Sequence, residues 1–443
     1  MRVVIIGGIA AGMSAASKIA RMDKTAEIIV YERKGFLSYG ACGLPYYVGG
    51  FNDDYRRMIA RTEEQFEAMG IKTFLHHEVT SVDFEGKLVS GRNLKSGENF
   101  QCPYDKLMIA TGAASIVPPF EGRELMGVHV LKTMEDGIFI RELAKQPEIK
   151  NVTIVGGGYI GIECVEAFLH LGKKVRLIEA ADRILTPFDE ELSELAQEEL
   201  LAHGVELCLN EKVVKFSGTD YVQEVETDKG RYQAELVIIA VGVKPSTEFL
   251  NGTNIKLAKN GAIMVNRRLE TSIPDVYAAG DCCLVYHRET GKDAFLALGT
   301  VANKCGRLAG ANICGAGQEF TGALGSAAIK VLNLEMGRTG LGEKQAEQFG
   351  YSYRTIIIRA YDHPAYYPNP TPITIKLIYE RGSRRILGAQ ACGNKGAVMR
   401  IDIFAVAIHN GMTTQELGMT DLVYAPPFAG VWDAVQIACN AAK

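Results

Sequence analysis

The chain has 443 residues, of which 47% are hydrophobic and 23% are charged, with a formal net charge of −4. This length is enough for about two or three domains, and the charge gives no electrostatic reason to expect nucleic acid or an acidic membrane as a partner. No apolar run approaches the roughly 20 residues of a membrane-spanning helix, so we expect no membrane partner. Gly7 and Gly8 interrupt the N-terminal apolar run, so it does not resemble a signal peptide, and we expect a cytoplasmic protein.

The N-terminal stretch RVVIIGGIAAGMSAASKIARM predicts a buried strand, a glycine turn and a helix of small residues. The next predicted strand, EIIVYE, ends at Glu32, about 20 residues after the glycines. This is the layout of a Rossmann unit, in which a helix N-terminus binds phosphate and a carboxylate binds ribose. Ile9 replaces the middle glycine of the fingerprint, so this motif is weak by itself. The predicted cofactor contacts here are Gly7, Gly8, Ala10, Ala11, Gly12, Glu32 and Arg33.

A lone cysteine, Cys42, follows this unit in SYGACGLPYY. The ten cysteines include no Cys-x-x-Cys pair, so we expect neither a metal site nor a dithiol. Pro45 suits the first turn of a helix, and a helix N-terminus stabilises a thiolate, which predicts a lowered pKa for Cys42. The alternative is an inert, buried structural thiol.

A second copy of the nucleotide-binding pattern lies in KNVTIVGGGYIGIECVEAFLHLGKKVRLIE. A single motif could be a glycine-rich turn that binds no ligand. Two such motifs, each with an acid at the expected position, argue against that interpretation for either one. The acid at the end of the second strand would repel a 2′-phosphate and favours NADH, whereas nearby Arg183 leaves NADPH open. The predicted contacts are Gly156, Gly158, Tyr159, Ile160, Gly161 and Glu179.

Further strands follow each unit. YDKLMIATGA and ELVIIAVGVKP predict apolar strands before glycine turns, and VYAAGDCC places a carboxylate after another strand. The predicted contacts at these turns are Ala110, Thr111, Gly112, Gly242, Gly280 and Asp281.

The C-terminal segment has a different hydrophobic pattern from the two nucleotide-binding units. PITIKLIYERGSRRILGAQACG predicts antiparallel strands, and MRIDIFAVAIHNGMTTQEL predicts an amphipathic helix. We expect residues 1–114 and 244–322 to form one discontinuous domain, 115–243 to be inserted in it, and 323–443 to form a third domain.

Two dinucleotide fingerprints, an ATG turn, a GD motif and an α+β tail resemble the pyridine nucleotide–disulfide oxidoreductases over the full chain. The resemblance implies an α/β fold like that of glutathione reductase, with two Rossmann-like domains that bind FAD and NAD(P)H. It also implies an α+β C-terminal domain that forms a homodimer. Common members carry Cys-x-x-x-x-Cys, but Leu37 and Tyr47 occupy the positions five away from Cys42. The chain is therefore similar to the single-cysteine branch: NADH peroxidase, NADH oxidase, and coenzyme A disulfide reductase with its persulfide-reducing relatives.

Within this branch, Ala10 stands where peroxidases and oxidases typically have a histidine. The motifs SYGACGLPYY, AYYPNP and LVYAPPF are similar to coenzyme A disulfide reductases. That similarity implies that electrons pass from NADH or NADPH through FAD to Cys42. The cysteine would then reduce coenzyme A disulfide, or a coenzyme A persulfide or polysulfide, through a mixed disulfide with coenzyme A. An NADH oxidase or peroxidase that cycles a cysteine sulfenic acid, and a flavin-loaded redox sensor, remain open.

The resemblance also implies which residues serve the substrate. Tyr366 and Tyr424 would reach the cysteine of the other subunit and protonate the departing thiolate; neighbouring Tyr367 is an equal candidate, and interface packing is the alternative role. Ser14, Lys18 and Arg21 share one face of the first helix, which implies binding of the coenzyme A nucleotide rather than only a solvated face. Ser38 and Asn303 would lie nearer the thiol, while Ala41 departs from an asparagine found in some relatives.

Overall fold

A computed structural model describes residues 1–443. All strand pairs of its first sheet are parallel. The first two strands are joined by a helix, and a connection of that length returns the chain to run in the same direction. Helices Ala10–Met22 and Gly299–Ile313 pack together so closely that a Cβ at Gly306 would lie 2.2 Å from a backbone oxygen. The sheet has five strands, in the order Val276–Ala278, Lys106–Ile109, Arg2–Ile6, Glu27–Glu32 and Ile71–Leu75.

The second sheet repeats this architecture further along the chain. Its helices are Met134–Ala144, Tyr159–His170 and Glu190–Ala202, the last of which is the acidic segment DEELSELAQEELLAHG. Its five parallel strands have the order Glu206–Cys208, Lys174–Ile178, Asn151–Val155, Leu236–Ile239 and Val128–His129.

The third sheet is antiparallel and belongs to the C-terminal part. The predicted hairpin is present as Pro372–Glu380 paired with Ile386–Gly393. Both of its strands are buried almost throughout, because the sheet is covered on both faces. The strand order is Ala327–Val331, Leu334–Gly340, Ile386–Gly393, Pro372–Glu380 and Tyr353–Tyr361.

The prediction of one continuous helix after this hairpin is wrong. The first helix, Ala397–His409, ends before Gly411, which has φ +67°, in the left-handed region that favours glycine. Thr413 then caps the short helix Thr414–Gly418 through its side chain. The remaining helices of this part are Glu343–Gln348 and Ala434–Ala441.

Smaller elements complete the molecule. Short helices span Leu44–Val48 and Glu63–Glu67. The chain passes between the two parallel sheets through the paired strands Ala113–Ser115 and Val243–Pro245. None of the helices combines the length and the apolar composition that spanning a lipid bilayer requires. The other strands are His77–Asp83, Leu88–Asn93, Asn99–Pro103, Val213–Gly218, Val222–Thr227, Arg231–Gln233, Val285–His287 and Lys292–Ala294.

Candidate active site

The two glycine turns have the same geometry. Gly7 and Gly156 have φ values of +105° and +108°, which only glycine adopts readily. A Cβ at Gly12 or at Gly161 would lie 1.9 Å from the carbonyl oxygen of Gly7 or Gly156, respectively. Both helices therefore start directly against the strand that precedes them, which leaves the turn open to a ligand.

The acids at the strand ends are also equivalent. Glu32 accepts hydrogen bonds from the backbone N–H groups of Gly8 and Lys34, each at 2.8 Å. Glu179 accepts the corresponding pair from Gly157 and Ala181, at 2.6 and 2.8 Å. Each carboxylate is thus held beside its glycine turn, and burial raises the pKa of Glu32.

The other predicted cofactor positions gather along the same sheet edges. The carboxyl ends of parallel strands meet at one edge, so residues far apart in sequence converge there. In the first unit, Arg33, Ala110, Thr111, Gly112, Gly280 and Asp281 follow three strands of one sheet, and Gly242 follows a strand of the second unit.

The first unit fits an adenine dinucleotide such as FAD. The backbone N–H groups of Ala10, Ala11 and Gly12 donate to no protein acceptor, and a phosphate can accept from such groups. The Thr111 hydroxyl is buried without a hydrogen-bond partner. Asp281 lies partly buried on the same edge. These groups would hold the pyrophosphate and the ribityl chain.

The second unit fits NAD(P)H by the same criteria. A Cβ at Gly158 would meet no atom within 4 Å, so a ligand can approach the backbone. The Tyr159 hydroxyl is buried and unpaired. Ile160 and Gly161 lie in the first turn of helix Tyr159–His170, where free N–H groups attract phosphate.

Cys42 lies in the short 3-10 turn Ala41–Gly43, immediately before helix Leu44–Val48. Pro45 occupies the start of that helix, as predicted. The Cys42 side chain is exposed, and all ten cysteines are free. No disulfide therefore joins Cys42 to another cysteine of this chain.

The predicted lowering of the Cys42 pKa is wrong for the free chain. The protein atoms around the exposed side chain raise its pKa by desolvation, and the carboxylates of Glu163 and Asp281 raise it further. Lys132 lowers the pKa but lies 3.8 Å from Asp281, which offsets its charge. Helix Leu44–Val48 is little more than one turn, so its dipole is weak.

Glu163 and Lys132 act on the pKa of Cys42, and the sequence analysis identified neither of them. The Tyr46 hydroxyl donates to Glu163 at 3.5 Å, and burial raises the pKa of Glu163 to about 7. Glu163 had a detectable signal, since it and Glu166 are acids in the otherwise apolar segment YIGIECVEAF. Lys132 had no such signal.

The structure brings together two of the predicted substrate residues that are distant in sequence. The Ser14 hydroxyl donates to the Asn303 side-chain oxygen at 2.7 Å. Lys18 is half-buried and Arg21 is exposed on the same helix. Ser38 does not join them by a hydrogen bond; it has φ +48°, and its N–H donates to Gly8, next to the first glycine turn.

The predicted tyrosines form a pair on the C-terminal part. The hydroxyls of Tyr366 and Tyr424 are 2.7 Å apart, and the Tyr366 side chain is 72% exposed. Tyr367 instead packs edge-on against His363. Of the two adjacent tyrosines, Tyr366 and Tyr367, it is therefore Tyr366 that contacts Tyr424. The charged groups that shift the pKa of Cys42 within the same chain are Glu163, Lys132 and Asp281, and none of them belongs to the C-terminal part. The exposed apolar surface of the C-terminal part includes Met419, Val423, Phe428, Val431 and Trp432.

The sequence is similar to a known family of nucleotide-dependent oxidoreductases over most of its length. The family model described as pyridine nucleotide-disulphide oxidoreductase matches residues 1–303, and its dimerisation domain matches residues 326–435. The chain is 39% identical to an NAD(P)H coenzyme A polysulfide/persulfide reductase of Pyrococcus horikoshii, covering 100% of this chain and 98% of that protein.

Two further proteins are similar over the whole chain. The structure of an NAD-dependent persulfide reductase from A. fulgidus superposes with a TM-score of 0.96 at 36% identity, covering 100% of this chain and 83% of that one. An NADH oxidase of Streptococcus pyogenes is 33% identical, covering 100% of this chain and 99% of that protein. The predicted fold, with two Rossmann-like domains and an α+β C-terminal domain, is confirmed. The chain is therefore an FAD- and NAD(P)H-dependent oxidoreductase that belongs to the pyridine nucleotide-disulphide oxidoreductase family.

Proposed function

We propose that this enzyme reduces coenzyme A disulfide, or a coenzyme A persulfide or polysulfide, through a mixed disulfide on Cys42. One observation carries the proposal: Cys42 is accessible and has no disulfide partner in its own chain. The second sulfur must then come from the substrate. The similarity to a protein named as a coenzyme A polysulfide/persulfide reductase supports coenzyme A as the thiol carrier.

The proposed chemistry begins at the Cys42 sulfur. Its thiolate attacks one sulfur of the substrate disulfide, breaks the S–S bond, and releases one thiolate while retaining the other half as Cys42–S–S–CoA. FAD, when bound, supplies two electrons taken as hydride from NAD(P)H. Those two electrons cleave the mixed disulfide into the Cys42 thiolate and coenzyme A thiolate, so each cycle yields two thiols.

Two sets of side chains would transfer protons in this reaction. Because the pKa of Cys42 is raised in the free chain, its thiol must lose a proton before attack. Glu163, whose pKa burial raises to about 7, can accept it at neutral pH. The Tyr366–Tyr424 pair would protonate the leaving thiolate from the partner subunit, since the pair is exposed on the dimerisation domain. Under this proposal the isolated monomer is inactive.

Coenzyme A would lie along the first helix. Lys18 and Arg21 supply cations for its phosphates, while Ser14 and Asn303 present a joined pair of polar side chains. Ser38 follows the first glycine turn and precedes Cys42, which supports assigning it to the thiol end of coenzyme A.

The central experiment is an anaerobic screen of acceptors with NADH and NADPH. We expect turnover with coenzyme A disulfide, its loss in Cys42→Ser with FAD still bound, and normal turnover in Cys102→Ser, a buried cysteine of strand Asn99–Pro103. Mass spectrometry of unreduced protein should show an adduct of coenzyme A on Cys42 that dithiothreitol removes. Equal turnover in Cys42→Ser would refute the mechanism.

A second experiment tests the coenzyme A face. The double variant Lys18→Gln/Arg21→Gln should raise the KM for coenzyme A disulfide about tenfold, which corresponds to about 1.4 kcal/mol, with little change in kcat. The disulfide of pantetheine lacks the phosphates, so its KM should not change. An equal effect on both substrates would contradict the assignment.

An NADH oxidase that cycles a Cys42 sulfenic acid is the second candidate. The exposure of Cys42 favours it, because peroxide can reach the sulfur. One similar protein is named an NADH oxidase. Faster NADH consumption with oxygen or peroxide than with coenzyme A disulfide would select this function. Turnover lost in Cys42→Ser argues against a mere redox sensor.

A further inference from the structure

A polar cavity whose lining does not include Cys42 lies where the first unit meets the C-terminal part. Its volume is about 380 Å³. Three arginines line it: Arg267 and Arg288 come from the first unit, and Arg385 comes from the C-terminal part. We infer that this cavity is a binding site for a phosphate-type oxyanion.

The guanidinium groups of Arg267 and Arg288, which line the cavity, have N–H donors that no protein atom accepts. Each guanidinium has five N–H donors. Arg267 donates from Nε to the Phe320 carbonyl at 3.1 Å, and Arg288 donates to the carbonyls of Thr321 and His409 at 3.2 and 2.8 Å. These bonds anchor the two side chains and leave at least half of their N–H groups without a protein acceptor.

The charge balance of the cavity is positive. Arg385 donates to Glu289 at 2.6 Å, and that carboxylate is almost fully buried, so the two charges offset each other. Glu319 lies 3.6 Å from Arg267, too far for a hydrogen bond, with both side chains about half exposed. Arg288 has no carboxylate partner within ion-pair distance. One net positive charge therefore remains for a ligand.

The geometry of the guanidinium donors suits an oxyanion better than a neutral ligand. A planar guanidinium binds phosphate through two parallel N–H···O bonds. The Tyr286 ring stacks under Arg267, with the guanidinium carbon 5.0 Å from the ring centroid, and so holds that fork in one plane. None of the strongly exposed apolar side chains of the C-terminal part lines the cavity. It is thus separate from the apolar surface of the dimerisation domain.

The test is calorimetric titration of the FAD-loaded enzyme with inorganic pyrophosphate, after NAD⁺ and coenzyme A have filled their own sites. We expect one site per chain, and at least tenfold weaker binding in Arg267→Gln/Arg288→Gln. The control Arg92→Gln/Arg231→Gln removes the same charge from exposed positions elsewhere and should bind as the wild type does.

A conservative variant distinguishes the loss of a ligand contact from a general defect in folding. Arg267→Lys retains the charge but not the fork, so its binding should be weakened less than in Arg267→Gln. Tighter binding of ADP than of pyrophosphate, with the same dependence on the arginines, would identify a nucleotide as the source of the phosphate; the reverse order would identify an inorganic phosphate. The inference is overturned if no site is found, or if the control and the Arg267→Gln/Arg288→Gln enzyme bind equally.

Discussion

The carboxyl group of Glu163 is the most informative place to perturb the site. Burial raises its pKa from 4.5 to about 7. Because the folded carboxyl keeps its proton to a higher pH than the unfolded one, the free energy of unfolding falls as the pH rises from about 4.5 to about 7. Each pKa unit corresponds to about 1.4 kcal/mol, so ionised Glu163 costs about 3 kcal/mol above neutrality.

Glu163→Gln removes this cost and retains an acceptor for the Tyr46 hydroxyl. We expect the variant to be more stable than the wild type by up to about 3 kcal/mol at pH 8. At pH 5, where the carboxyl is protonated in the folded enzyme, the gain should be below about 1 kcal/mol. Urea unfolding at both pH values measures the difference, with Glu194→Gln, at an exposed position, as the control.

The same variant gives an independent readout at the cysteine. Ionised Glu163 raises the pKa of Cys42, so its removal should shift the pH midpoint of Cys42 alkylation by iodoacetamide downward. The reasoning is refuted if the stability gain is the same at pH 5 and pH 8, or if the alkylation midpoint does not move.

Three further outcomes follow from the geometry. Tyr424→Phe removes a hydroxyl 2.7 Å from that of Tyr366 and should lower kcat with coenzyme A disulfide by at least about tenfold, with FAD content unchanged. Glu179→Ala removes a carboxylate that would repel a 2′-phosphate, so the ratio of kcat/KM for NADPH to that for NADH should rise at least about tenfold in steady-state assays. Lys376→Met removes a buried ammonium that lies within 3.3 Å of three carboxylates; urea unfolding should show a loss of about 3 kcal/mol. Lys244→Met, which breaks an exposed pair, should lose less than about 1 kcal/mol.

Much of the fold could be predicted because its signals are local. An apolar strand, a glycine turn and an acid at the end of the next strand lie within about 30 residues, and the chain contains that pattern twice. The structure shows nearly equal φ values at Gly7 and Gly156, and equivalent hydrogen bonds at Glu32 and Glu179. The prediction of one helix continuing past Gly411 is wrong, because apolar periodicity does not reveal that this glycine adopts a left-handed backbone conformation.

The sequence by itself determined the two nucleotide-binding units, the lone cysteine and the family, because each depends on residue types at short spacing. Only the tertiary structure decided that Ser14 bonds to Asn303, that Tyr366 rather than Tyr367 meets Tyr424, and that Glu163 raises the pKa of Cys42. The physical reason is that hydrogen bonds and desolvation depend on distances between atoms from separate elements. The packing of those elements sets such distances, and spacing along the chain does not record them.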